Sequence, residues 1–464
     1  MSRLSRRSCT FLALALMLGL MPGLARAAEA APASPTSACP SRVATAGRIR
    51  VQMLVTGGTI DVHLAPTQVT GRKDRTVNYG ATTEHLADGV RVKAPTGPVA
   101  LVDTELIAVD LSRASDLVLK VDKPMTGAAI VVVSSATGYG TAVNLNATAV
   151  GTSFQVTIPR SRVFDPAFVL PKADSRKLVL AAYYPWFTAT GWETMPVAER
   201  PLDPRSAWSS AGVLSMTQQA KANGVDGFVI SWMGNEKNGS AYDVAATAAT
   251  QTGSVVAPYI EISEAMNRGG LATVEQWLRE ALDHTGPASL TEAGVPVVFV
   301  WNMAVVSGSD WTAILSRLGR PVYIVGDGDT NVYGKAMPGF HTYLPPTDLT
   351  GAAERNGLRS AWYRGAAALD STLKPRLHVV SVSPGFDDRI LRGATRPVVS
   401  REGGRYGATW DAALAGDPDM VLITSWNEWY EGSEIEPGTR FGATALAETA
   451  ARSAAWKSGS CTSG

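Results

Sequence analysis

The chain has 464 residues, of which 45% are hydrophobic, and its 42 basic residues nearly balance its 41 acidic residues. This length and apolar content exceed what one small hydrophobic core needs, so two domains are expected. A formal net charge of +1 argues against a dedicated nucleic-acid-binding protein, which would carry a strongly basic surface.

Residues 1–27 have the pattern of a secretory signal peptide rather than of a membrane helix. Three arginines within the first seven residues precede the apolar run Phe11–Leu20, and Ala25 and Ala27 provide small residues for cleavage. We therefore expect a secreted or periplasmic protein without a membrane span once the signal is removed. Residues 28–45, which begin with many alanines, prolines and serines, are interpreted as a flexible tether.

Two cysteines follow the signal peptide, Cys39 and Cys461, and they stand near opposite ends of the chain. In an oxidising compartment such a pair invites a disulfide, but two free thiols are an equally acceptable interpretation. Neither has a histidine nearby in the sequence, so a catalytic cysteine is not expected.

Residues 46–170 show the pattern of an all-β domain. Short β-branched runs alternate with turn residues such as Gly57-Gly58, and no helical period of useful length lies between them. This pattern predicts a small β-sandwich-like domain, whose role as a carbohydrate-binding module or as a passive spacer stays open. The predicted strands are Arg50–Val55, Val99–Val109, Leu117–Val121, Ala129–Val133 and Phe154–Ile158.

Residues 176–458 differ, because apolar strands now alternate with helical stretches. Eight such units in about 280 residues predict a (β/α)8 TIM barrel, whose usual size is about 250 residues, with a doubly wound sheet as the alternative. The predicted fold class is therefore α/β, with the barrel preceded by the smaller all-β domain. The predicted strands are Leu178–Ala182, Gly227–Trp232, Val255–Ile260, Val297–Trp301, Val322–Gly326, Gly339–Tyr343, His378–Val382 and Met420–Ser425. The predicted helices include Ala211–Ala222, Ala241–Thr250, Thr273–Leu282 and Trp410–Ala415.

Aromatic and polar side chains stand at the carboxyl ends of these predicted strands. In a (β/α)8 barrel those ends form the rim that carries the active site, so we predict substrate contacts there. A tryptophan at a strand end can also simply fill the interior of the barrel, and a histidine there can belong to the core. The predicted substrate-binding residues of the first seven strands are Tyr184, Trp186, Trp232, Glu261, Asn302, His341, Tyr343 and Asp387.

Strand five runs into Asp327 and Asp329, two carboxylates that suit a hard cation. Two acids do not make a metal site, however, and a turn that contacts sugar is the favoured interpretation. No metal and no cofactor are therefore predicted.

The stretch Val421–Pro437, VLITSWNEWYEGSEIEP, organises the rest of the chain. Residues suited to a buried strand are followed at once by indoles, an amide and carboxylates, which a core accommodates only at a cost. Glu428 and Glu431 are three residues apart, a spacing that brings both toward one cleft in a loop or helical turn. We interpret them as an acid/base pair for cleaving a sugar linkage; the alternative is that they only hold the loop by hydrogen bonds. The neighbouring residues expected to contact substrate are Trp426, Asn427, Trp429 and Tyr430.

Three motifs of the chain together resemble those of a known family, the endo-α-1,2-mannosidases of glycoside hydrolase family 99 and their relatives in polysaccharide biosynthesis loci. The motifs are SWNEWYEGSEIEP at Ser425–Pro437, SPGFDDR at Ser383–Arg389 and AYYPW at Ala182–Trp186. The resemblance covers about the C-terminal 280 residues, the barrel units, and not the β-rich first domain.

The resemblance implies a retaining endo-α-glycosidase on a (β/α)8 barrel that works without a metal. By position in the motif, Glu428 would deprotonate the 2-hydroxyl of the sugar, which attacks the anomeric carbon. Glu431 would act as general acid and then as general base. The family often has histidine where this chain has Tyr430, and that departure concerns the substrate more than the chemistry.

We therefore predict a secreted, monomeric glycoside hydrolase that cleaves internal α-linkages of a polysaccharide, with a mannan-like glycan as the first expectation. A protein that binds polysaccharide without cleaving it is the alternative from another class. A transglycosylase or glycosyltransferase acting on a cell-surface glycan is the third, because the sequence does not distinguish water from a sugar as acceptor. Nucleic acid is not an expected partner.

Overall fold

The computed structural model describes ten strands between residues 49 and 158, and it describes residues 176–459 apart from 329–337, 344–347, 350–351, 353–355, 357–375 and 415. The predicted signal peptide, the tether, both cysteines and Asp329 lie outside these residues. Within the part that is described, none of the helices is long and apolar enough to cross a membrane.

The strands of the first region form two five-stranded antiparallel sheets. Their orders are β3-β6-β1-β8-β9 and β10-β7-β2-β5-β4. All five predicted strands are present, and five further strands lie in segments for which no strand was predicted. The bounds are β1 Ile49–Val55, β2 Gly58–Leu64, β3 Gly71–Val77, β4 Thr82–His85, β5 Gly89–Ala94, β6 Ala100–Ile107, β7 Leu117–Val121, β8 Ala129–Ser135, β9 Gly140–Asn144 and β10 Phe154–Ile158. Packing of the two sheets into a sandwich stays a prediction.

The second region is a closed barrel of eight parallel strands, which confirms the predicted fold. Each strand pairs with its neighbours in order, and the last strand pairs with the first, so that no sheet edge is left open. The barrel strands are β11 Leu178–Tyr183, β12 Gly227–Trp232, β13 Val255–Glu261, β15 Val295–Trp301, β16 Tyr323–Asp327, β17 Gly339–His341, β18 Leu377–Val382 and β19 Met420–Ile423. The short strand β14, Thr291–Glu292, pairs antiparallel with β15.

Helices on the outside of the barrel connect these strands. Ser209 caps the first helix by accepting a hydrogen bond from the Gly212 amide, and Ser307 caps the fourth in the same way. The third helix is kinked at Gly269 and Gly270, where the backbone leaves helical geometry. The bounds are α1 Ser210–Ala222, α2 Ser240–Thr252, α3 Ile262–Asp283, α4 Gly308–Leu318, α5 Arg389–Arg392, α6 Arg405–Leu414 and α7 Thr444–Ser458.

The barrel strands are buried on both faces, because side chains fill the interior and helices cover the outside. Strand β19 shows this most clearly, since all four of its residues, Met420–Ile423, are fully buried. This explains why the strand is an unbroken apolar run in the sequence. Its carboxyl end delivers the charged residues that follow directly to the rim of the barrel.

Candidate active site

The segment after β19 folds back on itself and places two glutamates on one turn. The Glu428 amide donates to Ser425 Oγ at 2.7 Å, and the Glu431 amide donates to the Glu428 carbonyl at 3.2 Å. The Ser425 amide donates to the carbonyl of Ser433 at 2.8 Å, which closes the loop. The three-residue spacing therefore brings the Glu428 and Glu431 side chains to the same side, close enough for each carboxyl to interact electrostatically with the other.

Glu431 lies at the centre of a hydrogen-bond network built from three loops. Tyr343, which follows β17, donates from its hydroxyl to Glu431 Oε2 at 3.2 Å. Arg392, at the end of α5, donates to Glu431 Oε1 at 2.9 Å and pairs with Asp388 at the same distance. The Tyr184 hydroxyl, from the loop after β11, donates to the Tyr343 hydroxyl at 2.7 Å. Both oxygens of Glu431 are therefore engaged by donors.

Glu428 is surrounded differently. Its side chain is almost fully buried, and the backbone amide of Tyr430 donates to its Oε1 at 3.2 Å. No cation makes a hydrogen bond to it among the described residues. Burial raises the pKa of Glu428 well above its ordinary value, and the neighbouring Glu431 raises it further.

Burial also raises the pKa of Glu431, but Arg392 and the Tyr343 hydroxyl both oppose that rise. The two carboxyls therefore have unequal electrostatic environments. The ionised form of Glu431 is the better stabilised of the two, whereas the Glu428 carboxyl group holds its proton more tightly.

A third carboxyl faces this pair from the end of β13. Glu261 accepts a hydrogen bond from the Ser231 hydroxyl at 2.8 Å. Burial, with Glu431 adding to it, raises the pKa of Glu261 to about 7. The rim therefore holds at least three carboxyls that do not all ionise together near neutral pH.

Aromatic side chains form the neighbouring wall. Trp186 is only partly buried and lies 4.7 Å from the Tyr184 ring, and its indole N–H has no hydrogen-bond partner among the described residues. Tyr430 is also partly exposed, and its ring lies 5.0 Å from that of Phe187. Trp186 and Tyr430 are therefore the predicted substrate-binding aromatic residues that present open ring surface.

The structure does not bring Trp232 to the cleft. Side chains alternate across a strand, and Ser231 uses the position that faces Glu261. Trp232 consequently points the other way and is fully buried against Tyr242 and His284. It packs between the barrel and its outer layer of helices.

Three residues of the SWNEWYEG motif lie beneath the site rather than in it. Trp426 is fully buried against Phe228, and Trp429 is buried against Trp192. Asn427 is buried and bonds the Tyr184 backbone twice, accepting from the amide at 2.8 Å and donating to the carbonyl at 3.0 Å. These contacts fix the two loops that carry Tyr184 and the glutamates.

His341 is a core histidine in this structure. It is buried between the Tyr259 and Phe299 rings, and its Nε2 lies 3.3 Å from the Val300 carbonyl. Burial lowers the pKa of His341, so the ring is neutral near physiological pH.

Two further predicted residues have their polar groups committed to neighbours. Asn302 donates its side-chain amide to Ser263 at 2.8 Å, and its backbone amide donates to Asp327. Asp387 forms a two-bond ion pair with Arg389, and its backbone amide donates to the Glu431 carbonyl at 2.7 Å. Asp387 therefore helps to fix the backbone of the Glu431 loop.

Asp327 is engaged by backbone amides, since Tyr343 and Asn302 both donate to its carboxylate. Its partner in the cation hypothesis, Asp329, lies outside the described residues. Over the described part of the chain, no group of three or more metal-ligating side chains is arranged to hold an ion.

Two buried carboxyls later in the motif form ion pairs that hold the loop in place. Glu434 pairs with Arg401, and Glu436 pairs with Arg205 at 2.7 Å. Burial raises the pKa of Glu434 to about 8 and that of Glu436 to about 7, although both guanidinium groups oppose this. Arg401 also lies 3.4 Å from Glu199 and so joins the loops after β11, β18 and β19.

Asp388, in the FDDR motif, was expected from the sequence to orient the rim or to bind sugar hydroxyls, and it pairs with Arg392. Arg392 and Ser231 also contact the site but were not predicted from the sequence. Arg392 and Ser231 carry no comparable signal, because their roles depend on which strand ends lie side by side in the closed barrel.

A model of glycosyl hydrolase family 99 matches residues 211–446, about half of the chain. A glycoprotein endo-alpha-1,2-mannosidase-like protein from Homo sapiens is 25% identical over 158 residues, and one from Danio rerio is 42% identical over 62 residues. These alignments span 31% and 13% of this chain and only 33% and 14% of the relatives' lengths.

Solved structures of an endo-alpha-mannosidase of this family from Bacteroides thetaiotaomicron have a similar fold. One, in complex with Bis-Tris propane, has a TM-score of 0.52 at 21% identity and covers 62% of this chain and 99% of that one. Another has a TM-score of 0.51 at 18% identity, with 60% and 97% covered. Together with the barrel and its paired glutamates, the match to the family model shows that the chain belongs to glycosyl hydrolase family 99.

Proposed function

We propose that this protein is a secreted retaining endo-α-glycosidase that cleaves internal α-linkages of a mannan-like polysaccharide. The observation that carries the proposal is the unequal pair of Glu428 and Glu431 at the barrel rim. Burial raises the pKa of both carboxyls, but Glu428 has no bonded cation among the described residues, whereas Glu431 is bonded by Arg392 and Tyr343. Such an arrangement suits one strong base and one acid whose conjugate base is stabilised.

In the first step the Glu428 carboxylate takes the proton of the 2-hydroxyl of the sugar to be cleaved. The freed oxygen attacks the anomeric carbon, the glycosidic bond breaks, and the departing oxygen takes the proton of Glu431. The product of this step is an anhydrosugar together with the released portion of the glycan.

In the second step the Glu431 carboxylate takes a proton from water, whose oxygen adds to the anomeric carbon. The bond from that carbon to the 2-oxygen breaks, and the 2-oxygen takes back its proton from Glu428. Two successive inversions return the anomeric carbon to its starting configuration, so the enzyme is retaining.

The environment of each glutamate supports these roles once substrate is bound. The pKa of Glu428 is raised by burial, which makes its carboxylate a stronger base toward a hydroxyl group. Arg392 and Tyr343 stabilise the negative charge that develops on Glu431 as its proton leaves. Without substrate the electrostatics favour a proton on Glu428 rather than on Glu431, because Arg392 and Tyr343 stabilise the Glu431 carboxylate. The proposed first step needs the opposite arrangement, which a hydrogen bond from the 2-hydroxyl of the bound sugar to the Glu428 carboxylate would favour.

The substrate class is proposed from the relatives, which are named as endo-alpha-mannosidases or endo-alpha-mannosidase-like proteins. The partly exposed Trp186 and Tyr430 provide aromatic surface on which a sugar ring can pack. Secretion is proposed from the signal-peptide pattern of residues 1–27.

The test is product release from α-linked mannans, glucans and arabinans by the wild type. An endo-acting mannanase releases a series of oligosaccharides from mannan before any monosaccharide accumulates. Glu428→Gln and Glu431→Gln should release nothing measurable, whereas Glu275→Gln, at a surface glutamate paired with Arg279, should match the wild type. Binding of mannan without release of any product would replace this proposal with that of a non-catalytic glycan-binding protein.

A further inference from the structure

Asp388 is a fully buried residue that directly precedes helix α5, in the loop after β18. Its carbonyl accepts hydrogen bonds from the amides of Leu391 at 3.1 Å and Arg392 at 2.8 Å. An aspartate at the start of a helix ordinarily accepts a hydrogen bond from a helix amide with its side chain as well. The Asp388 side chain makes no such bond, because its carboxylate is turned toward two arginines instead.

The two arginines that hold the Asp388 carboxylate differ in what else they contact. Arg396 approaches it with Nε and Nη2, each 3.1 Å from Oδ2. Arg392 donates from Nη1 to Asp388 Oδ2 at 2.9 Å and, from the same nitrogen, to Glu431 Oε1 at 2.9 Å. One nitrogen of Arg392 therefore joins the carboxyl groups of Asp388 and Glu431.

This sharing limits how strongly Arg392 binds Glu431. A guanidinium that faces one carboxylate can form two parallel hydrogen bonds, and such pairs are among the strong ones. Arg389, in the same helix, forms this kind of pair with Asp387, through Nε at 2.8 Å and Nη2 at 2.8 Å. Arg392 gives Glu431 a single bond, since Nη1 has two hydrogens and the other is directed to Asp388.

Several charged or titratable groups face Glu431, and they act in opposite directions. Arg392 and the Tyr343 hydroxyl lower the pKa of Glu431, whereas burial and the negative charge of Asp388 raise it. On α5, Asp388 thus opposes Arg392. The groups that face Glu431 are Arg392 and Asp388 at α5, Tyr343 after β17, Tyr184 after β11 through Tyr343, Glu261 at the end of β13, and Glu428 on the same loop.

We infer that Asp388 is a positioning residue for the acid step, because it engages one N–H of Arg392 and so keeps that arginine from forming a two-bond ion pair with Glu431. The inference rests on the proposed function, in which Glu431 gives a proton to the departing oxygen. A general acid must hold its proton until the bond breaks and then release it. A single shared bond stabilises the developing carboxylate less strongly than a full ion pair would, and so leaves Glu431 able to hold its proton once substrate is bound.

The test replaces Asp388 by asparagine, which keeps the shape of the side chain and removes its charge. Arg392 then bonds Glu431 more strongly, so the alkaline limb of the kcat/KM profile on an α-linked manno-oligosaccharide should move to lower pH by about one unit. At a pH above that limb, kcat/KM should fall about tenfold. The variant should fold, because the side chains of Arg392 and Arg396 are each 39% exposed and can turn to solvent. Circular dichroism checks this.

Asp411→Asn is the matched control, since Asp411 on α6 forms an ion pair with Arg452 on α7. Both limbs of its profile should lie at the wild-type pH. The double variant Asp388→Asn/Arg392→Gln shows whether Asp388 acts through Arg392. In the Arg392→Gln background, the shift caused by Asp388→Asn should shrink to about half or less. An undiminished shift would show that Asp388 acts on Glu431 directly, and would overturn the positioning role.

A titration that needs no catalysis separates this inference from the proposed function. In a Glu428→Gln protein labelled with carbon-13 glutamate, the Glu431 carboxyl signal in the NMR spectrum is identified by its loss on Glu431→Gln. The Glu428→Gln background also uncouples the pair, so the midpoint belongs to Glu431. Adding Asp388→Asn should lower that midpoint by about one pH unit.

The two proposals then fail separately. A lowered midpoint in a protein whose wild type cleaves no glycan would refute the proposed function and support the effect of Asp388 on Glu431. A midpoint that stays or rises with Asp388→Asn would overturn the inference, whether or not the wild type cleaves.

Discussion

The Tyr343 hydroxyl donates a hydrogen bond to Glu431 Oε2 at 3.2 Å, and this bond joins the sixth barrel strand to the loop after the eighth. The Tyr184 hydroxyl in turn donates to Tyr343, so the bond extends to the first strand as well. Three strand ends that are distant in sequence therefore meet on one carboxyl. The chemistry proposed for Glu431 depends on this connection.

Replacing Tyr343 by phenylalanine tests that connection. The Tyr343→Phe variant loses the donor that stabilises the Glu431 carboxylate as its proton leaves, and kcat should fall about tenfold or more. Tyr406→Phe is the matched control, since it removes a buried hydroxyl that bonds Thr449 instead. Equal losses of kcat in the two variants would mean that the Tyr343 hydroxyl stabilises the fold in general and not the Glu431 carboxylate.

Arg392 should influence how kcat/KM depends on pH, because it sets the pKa of Glu431. Its guanidinium lowers the pKa of Glu431, so Arg392→Gln raises that pKa. A general acid must be protonated, so the alkaline limb of the kcat/KM profile should move to higher pH while the maximum falls. Arg396→Gln is the control, because Arg396 pairs with Asp388 without bonding Glu431. A shift of the acidic limb instead would identify Glu431 as a base in the first step.

The two tryptophans at strand ends should respond differently to truncation. Trp186 is partly exposed at the site, so Trp186→Ala should raise KM several-fold, because the sugar loses the apolar ring surface on which it packs. Trp232 is fully buried among Tyr242 and His284, so Trp232→Ala should cost about 3–5 kcal/mol of the free energy of unfolding. Denaturant unfolding and steady-state kinetics on both variants check this. A raised KM with unchanged stability for Trp232→Ala would show that its ring contacts substrate.

The buried Glu434 should make the protein less stable as the pH rises. Its pKa is about 8 in the folded protein against an ordinary 4.5, so the folded state binds more protons between these values. The free energy of unfolding therefore falls as the pH increases through that interval and levels off above about 8. Glutamine mimics the protonated carboxyl, so thermal unfolding of Glu434→Gln should depend less on pH between about 5 and 8.

The control for this measurement is Glu275→Gln. Glu275 pairs with Arg279 and Arg317, which lower its pKa, so its contribution is lost only in acid. Between about pH 5 and 8 the thermal unfolding of this variant should change with pH as that of the wild type does. An identical slope for Glu434→Gln as well would show that Glu434 is not the group that titrates.

Much of the barrel could be predicted from the sequence, because its strands are buried on both faces and stand out as apolar runs. The predicted Gly227–Trp232 strand, for example, coincides with β12. Helix α4 was implied by the eight predicted strand-helix units but was given no bounds, although Ser307 caps its start and Gly319 follows its end. Helix α7 is rich in alanine and has a weak apolar stripe, which is why periodicity gave it no bounds.

The site was predictable only in part, because several of its contacts depend on the direction of side chains and on which loops are neighbours in the barrel. Glu428 and Glu431 are recognisable because carboxylates follow a buried strand directly. The direction of Trp232 depends on the alternation of side chains along β12, and Ser231 takes the inward position. Arg392 reaches Glu431 only because the loops after β18 and β19 are neighbours in the closed barrel.

The central claim is that Glu428 and Glu431 together cleave an α-linkage with retention. The most direct measurement is time-resolved NMR of the first-formed anomer when the wild type, Glu428→Gln and Glu431→Gln act on an α-linked manno-oligosaccharide. The account predicts an α-configured product from the wild type and, because loss of an acid or base costs about 10²–10⁴ in rate, almost none from either variant. A β-configured first product, or undiminished cleavage by either variant, would contradict it.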